Sequence, residues 1–103
     1  MIITICGSLK FQQEMIDIAQ KMTFLGHCVI TPIFQTSKNP NYTEEQIQKL
    51  KNAHLKKIDI SDAILVVNVN NYIGDSTSLE IEYAEQHKKQ VLYYTNLMRE
   101  LEK

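Results

Sequence analysis

Tryptophan is absent from these 103 residues, and glycine (three), proline (two) and cysteine (two) are scarce. Two cysteines, Cys6 and Cys28, are too few for a disulfide framework and have no His/Cys cluster at metal-ligand spacing beside them, so both read as reduced core residues. An excess of one charge is also missing: 11 Lys and Arg stand against 12 Asp and Glu, a net charge of -1. Without a long-range field for a polyanion, nucleic acid is not the expected partner. No apolar run is long enough to span a membrane, and the short run Met1 to Cys6 lacks a basic leader. Neither a signal peptide nor a membrane partner is expected, and the expected location is cytoplasmic. No repeat, low-complexity tract or linker interrupts residues 1–103, which are therefore expected to form one domain.

What is present is a chain that is 44% hydrophobic, enough for one compact core. A domain of this size hides only about 60–68% of its unfolded surface, so a deep pocket would remove much of that core. The expectation is a site completed at a subunit interface, in a homodimer or higher homo-oligomer.

The β-branched run Met1 to Cys6, ended by Gly7, reads as a strand buried on both faces. From Leu9 to Leu25, the apolar positions Met15, Ile16, Ala19, Met22 and Leu25 fall at helical spacing, with Gly26 as the stop. His27 to Thr31 reads as a second strand closed by Pro32, and Phe34 to Tyr42 as a loop long enough to act as a lid. Thr43 and Gln46 form a capping box for a helix over Glu44 to Ile60. Asp62 to Asn68 is the clearest strand, Asn70 to Ser76 a loop, and Thr77 with Glu80 a second capping box for a helix ending near Lys88. Val91 to Tyr94 completes the strands, and Asn96 to Lys103 reads as a short helix. This alternation predicts an α/β fold: a three-layer parallel sheet of four or five strands with helices on both faces, flavodoxin- or Rossmann-like. Ligands on such sheets gather beyond the carboxyl ends of the strands.

Several residues at those ends can carry chemistry. The turn Gly7-Ser8 precedes a helix start, where free N–H groups and the helix dipole favour an anion, and Lys10 adds positive charge. The plainer reading is a tight turn with Ser8 as N-cap. Glu80 is either the third residue of its capping box or a carboxylate aimed into the crevice. His54 falls in the middle of the apolar stripe of Ile47, Leu50 and Ile58, and is either a satisfied core histidine or an acid/base lining the pocket. Phe11 and Tyr72 offer flat faces on which a base can stack. Asp62 and Asp59 read as local structural residues from position alone. Together these features suggest a small-molecule nucleoside or nucleotide pocket.

Three segments, Ile5-Cys6-Gly7-Ser8-Leu9-Lys10, Ser61 to Val67 and Gly74 to Ala84, resemble motifs of the nucleoside 2-deoxyribosyltransferases and the related 2'-deoxynucleoside 5'-phosphate N-hydrolases. The resemblance implies that Glu80 attacks the anomeric carbon of the sugar and that Ser8 and Lys10 hold a 5'-phosphate. Where that family has a proton-donating aspartate, eight residues before Asp62, this chain has His54. At the position that reads the 5' group it has Gly74, followed by Asp75 and Ser76. The expected catalytic pair is thus Glu80 and His54. The expected substrate-binding residues are Cys6, Gly7, Ser8, Lys10 and Phe11 after the first strand, Asp62 and Asn68 at the ends of the third, and Tyr72, Gly74, Asp75 and Ser76 in the loop beyond. The implied activity is cleavage of an N-glycosidic bond, by hydrolysis or by transfer to another base, with no metal or redox cofactor. The rival readings are a noncatalytic nucleotide-sensing module and a dinucleotide glycohydrolase, although no second nucleotide pocket is evident.

Overall fold

The computed structural model describes residues 1–34 and 41–101. Most of the segment expected to form a lid, Phe34 to Tyr42, lies outside them. In chain order come β1 (Ile2–Cys6), a 3-10 turn (Leu9–Phe11), α1 (Gln12–Phe24), β2 (Cys28–Ile30), α2 (Glu44–Asp59), β3 (Ala63–Val66), a second 3-10 turn (Val69–Asn71), α3 (Asp75–Gln86), β4 (Gln90–Tyr93) and α4 (Tyr94–Leu101). The strands form one parallel sheet in the order β2-β1-β3-β4. That is the flavodoxin-like order, and it reverses direction between β1 and β3, the place where such sheets bind ligands.

Both faces of the sheet are covered, which is why β1 and β3 read as continuous apolar runs. Alternation sends Ile3, Ile5, Ala63, Leu65 and Val67 to one face, against Met15, Ile18 and Met22 of α1 and the partly buried Leu97 and Met98 of α4. It sends Cys6, Ile64 and Val66 to the other, against Ile58 of α2 and Ala84 of α3. Each isoleucine, leucine, valine or methionine among them contributes about 1.5–3 kcal/mol when fully buried. Thr4 is the polar exception on the second face. Its Oγ1 donates to the Lys57 carbonyl at 3.0 Å and pairs with Ser61 Oγ at 2.6 Å, which fastens the end of α2 to the centre of the sheet.

The capping box of α2 forms as expected, with Thr43 Oγ1 accepting from the Gln46 amide and Gln46 Oε1 accepting from the Thr43 amide. Other expectations are corrected. α1 buries Ile18 rather than Ile16, which is 40% exposed, because a 3-10 turn precedes the helix and tertiary packing sets its rotation. Cys28 is exposed on the edge strand and is no core residue, whereas Cys6 is buried. The box of Thr77 and Glu80 does not form: α3 starts at Asp75 with Gly74 as N-cap, which puts Glu80 in the second turn. Thr77 is buried, and Asp75 is the acidic residue of the first turn.

Candidate active site at the carboxyl edge of the sheet

The site begins with the last residue of β1. Cys6 projects toward α2 and α3, and Gly7 then lets β1 run close beside the chain leaving β3. A Cβ on Gly7 would stand 3.2 Å from the Val67 carbonyl oxygen and 3.3 Å from Val67 Cβ, so a larger residue would push the two strand ends apart. α2 runs back over the sheet, as a right-handed crossover requires. It brings His54, 8% exposed, onto Cys6, with Nε2 3.3 Å from the sulfur. α3 adds Glu80, whose Oε1 lies 3.5 Å from the same Nε2. The side chain of Glu80 is 22% exposed, against 10% for that of His54, so the carboxylate is the accessible member of the three.

The charge arrangement separates the roles. Burial pushes the Cys6 thiol well up from its ordinary value, and the neighbouring Glu80 charge, together with the thiol's hydrogen bond to that carboxylate, pushes in the same direction. A Cys-His-acid nucleophile needs the thiol and the acid on opposite nitrogens of the ring. Here both meet Nε2, and Cys6 has no exposed surface, so the thiol is unsuited to attack a substrate. Of the three groups, Glu80 is the one most exposed to the cleft.

Two abutting cavities open on this carboxylate. One of about 180 Å³ lies over the strand ends and is lined by Gly7, Leu9, Pro32, Ile33, Leu50, Lys51, His54, Lys57, Ser76 and Glu80. The other, about 260 Å³, lies between α2 and α3 and is lined by Lys51, Leu55, Ser76, Leu79, Glu80 and Tyr83. Glu80, Ser76 and Lys51 form the shared wall. Each cavity is smaller than the 300–1,000 Å³ usual for a small-molecule site, so a ligand of nucleoside size would extend across both.

Comparison of the chain with protein-family models, with curated proteins and with solved structures finds no match.

The structure gathers Cys6, Gly7, His54, Ser76 and Glu80 and leaves the remaining expected residues apart from the cavity linings. Ser8 caps its own turn, its Oγ accepting from the Lys10 amide at 3.4 Å. Lys10 Nζ lies 3.3 Å from the centroid of the Tyr72 ring and 5.3 Å from that of Phe11, and the two rings meet edge to face at 5.8 Å. These three side chains pack on one another, and none of them lines either cavity. Gly74 packs under the Tyr72 ring, and Asp75 is exposed at the start of α3. Asn68 is buried and tied to Thr95 in both directions, Nδ2 to Oγ1 and Oδ1 to the Thr95 amide, which leaves it a structural clamp between β3 and α4. Asp62 is the clearest correction. It precedes β3 at the opposite, amino edge of the sheet, and its Oδ2 accepts the Ile2 amide at 2.7 Å. A residue there cannot touch a ligand at the carboxyl edge.

Lys51 and Lys57 were missed by the sequence reading. Both stand three residues from His54 on α2, one on either side, and that spacing was the available signal. Lys57 also donates to the Thr31 carbonyl at 2.9 Å, which ties α2 to the chain leaving β2.

Proposed function

We propose that this cleft cleaves the N-glycosidic bond of a 2'-deoxynucleoside or its 5'-monophosphate, with Glu80 as nucleophile. The observation that carries the reading is the placement of Glu80: among the described residues it is the one carboxylate lining either cavity, and it sits at their shared wall in contact with His54. The motif resemblance around Glu80 supplies the substrate class.

Cleavage of such a bond develops positive charge on the sugar and negative charge on the departing base. In this account the Glu80 carboxylate bonds to C1', the C1'–N bond breaks, and its electron pair leaves with the base, which takes a proton. His54 orients the carboxylate through Nε2 before the sugar arrives. As the ester forms, that contact is released; an imidazolium at His54 gives its Nε2 proton to the departing base, and the neutral imidazole left behind later accepts one from water. A second base in place of water makes the reaction a transfer. Lys51 and Lys57 supply positive charge on the cavity wall for a 5'-phosphate. A second copy of the chain seated over the mouth belongs to the same proposal, since Ile33 and Leu79 on the cavity rims are 59% and 67% exposed.

The same cluster favours one other reading. With Glu80 already held by His54 and the thiol, the cleft could serve as a noncatalytic nucleotide sensor. Incubation with deoxynucleosides and deoxynucleoside monophosphates, with and without a second free base, separates the two readings by chromatography of the products. Glycosidic cleavage predicts free base from the wild type and none from Glu80→Gln. Binding without released base establishes the sensor, and equal release by both proteins removes Glu80 from the chemistry.

A further inference from the structure

Spacing along the chain showed no metal-ligand cluster at Cys6, yet folding brings together residues 48 positions apart. Cys6 Sγ, His54 Nε2 and a Glu80 carboxylate oxygen all lie within 4.8 Å of one another. Around a tetrahedral zinc ion, with bonds of about 2.0–2.3 Å, neighbouring ligand atoms stand about 3.3–3.6 Å apart. The sulfur–nitrogen and nitrogen–oxygen separations, 3.3 and 3.5 Å, already have that length. The donor set is selective as well. A thiolate and an imidazole suit zinc, whereas magnesium and calcium prefer oxygen ligands throughout. The three donors come from β1, α2 and α3, elements held together by one buried cluster that includes Cys6, Ile58 and Ala84.

We propose that Cys6, His54 and Glu80 form a Zn²⁺ site with a fourth coordination position open to the cleft. Three protein ligands and one open position is the pattern of zinc sites that exchange a ligand with solvent. The partly exposed Glu80 and the adjoining cavity supply the opening. On binding, the Cys6 S–H bond breaks and its proton goes to solvent. The thiolate sulfur, the neutral Nε2 and the carboxylate oxygen each donate a lone pair, and zinc gives up the waters they replace. Metal binding does not depend on the glycosidic reading. Where both hold, zinc and the sugar compete for one carboxylate, so zinc occupancy switches cleavage off and a chelator restores it.

The test uses full-length, metal-free protein titrated with Co²⁺ and then Zn²⁺, with zinc affinity measured against a chromophoric chelator. The expected result is saturation at one ion per chain, with an intense near-ultraviolet thiolate-to-cobalt absorption that zinc abolishes. Cys6→Ser should lose that absorption and weaken zinc binding at least tenfold, and His54→Gln should weaken zinc equally. Cys28→Ser should change neither. Circular dichroism checks that each variant is folded, and His54→Gln carries the test if Cys6→Ser is not. Absence of saturable binding, wild-type affinity in the folded variants, or loss of the absorption in Cys28→Ser overturns the site. The cobalt spectrum needs no turnover, so its outcome is independent of whether a deoxynucleoside is cleaved.

Discussion

Lys10 is the residue on which the motif resemblance and the geometry disagree most sharply. The resemblance makes it a phosphate ligand, but its ammonium lies on the Tyr72 face, and neither Lys10 nor Tyr72 lines either of the two cavities that meet at Glu80. Replacing Lys10 with Met keeps an apolar stem and removes the charge. An exposed cation–π contact contributes about 0.5–1 kcal/mol, and Tyr72 is 46% exposed. In a domain of this size that loss lowers the melting temperature by about 2–8 °C. A charge-assisted bond to phosphate, by contrast, contributes about 1.5–3 kcal/mol, or roughly 10- to 150-fold in affinity. Calorimetric titration of a deoxynucleoside and its monophosphate into Glu80→Gln, with and without the second substitution, compares the two roles directly. The expected outcome is a lowered melting temperature for Lys10→Met with monophosphate affinity changed less than about threefold, while Lys51→Met weakens the monophosphate at least about tenfold. A selective loss of monophosphate binding of tenfold or more in Lys10→Met would refute the argument and restore the phosphate to the turn after β1.

Two further predictions concern the scaffold. Thr4→Val removes a buried hydroxyl bonded to Lys57 and Ser61 while preserving shape, and should cost about 1–2 kcal/mol. Thermal unfolding should show a fall of about 4–16 °C, and no change would mean that these bonds do not fasten α2. Cys6 and Tyr83 both hold their protons more tightly in the folded chain, Cys6 chiefly through burial and Tyr83 chiefly through its hydrogen bond to Asp59. Folded pKa values raised above the unfolded ones give stability that is fully present below about pH 8.5 and is lost as the pH climbs toward the folded values. Urea unfolding of the metal-free protein from pH 7 to 10 should therefore show declining stability, less steep in Cys6→Ser. An unchanged slope would contradict the burial of the thiol proton.

The elements that could be read from the sequence are those governed by local chemistry. β1 and β3 declare themselves as β-branched runs because a parallel sheet buries both their faces, and Thr43 with Gln46 declares the start of α2. The Thr-x-x-Glu pattern at Thr77 and Glu80 has the same form and misleads, because the helix had already begun after Gly74. The rotation of α1 was hidden because Ile16 and Ile18 are equally apolar and only packing against β1 and β3 chooses between them. His54 was recognisable as inward-facing from its spacing to Leu50 and Ile58, although Ile47, read on the same stripe, is 41% exposed. Its meeting with Cys6 and Glu80 was not, since that depends on three elements distant in sequence. The diversion of Lys10 onto Tyr72 likewise depends on how two loops fold beside each other.

The central claim is that the carboxylate at the shared wall of the two cavities attacks the sugar. Rapid acid quenching of the wild-type protein mixed with deoxynucleosides and their 2-fluorinated analogues, followed by intact mass and peptide mapping, observes that step. The account predicts a chain heavier by one deoxyribosyl group, mapped to the peptide containing Glu80 and absent in Glu80→Gln. Release of base with no adduct on a 2-fluorinated substrate that slows the second step, or an adduct on a residue other than Glu80, would contradict it.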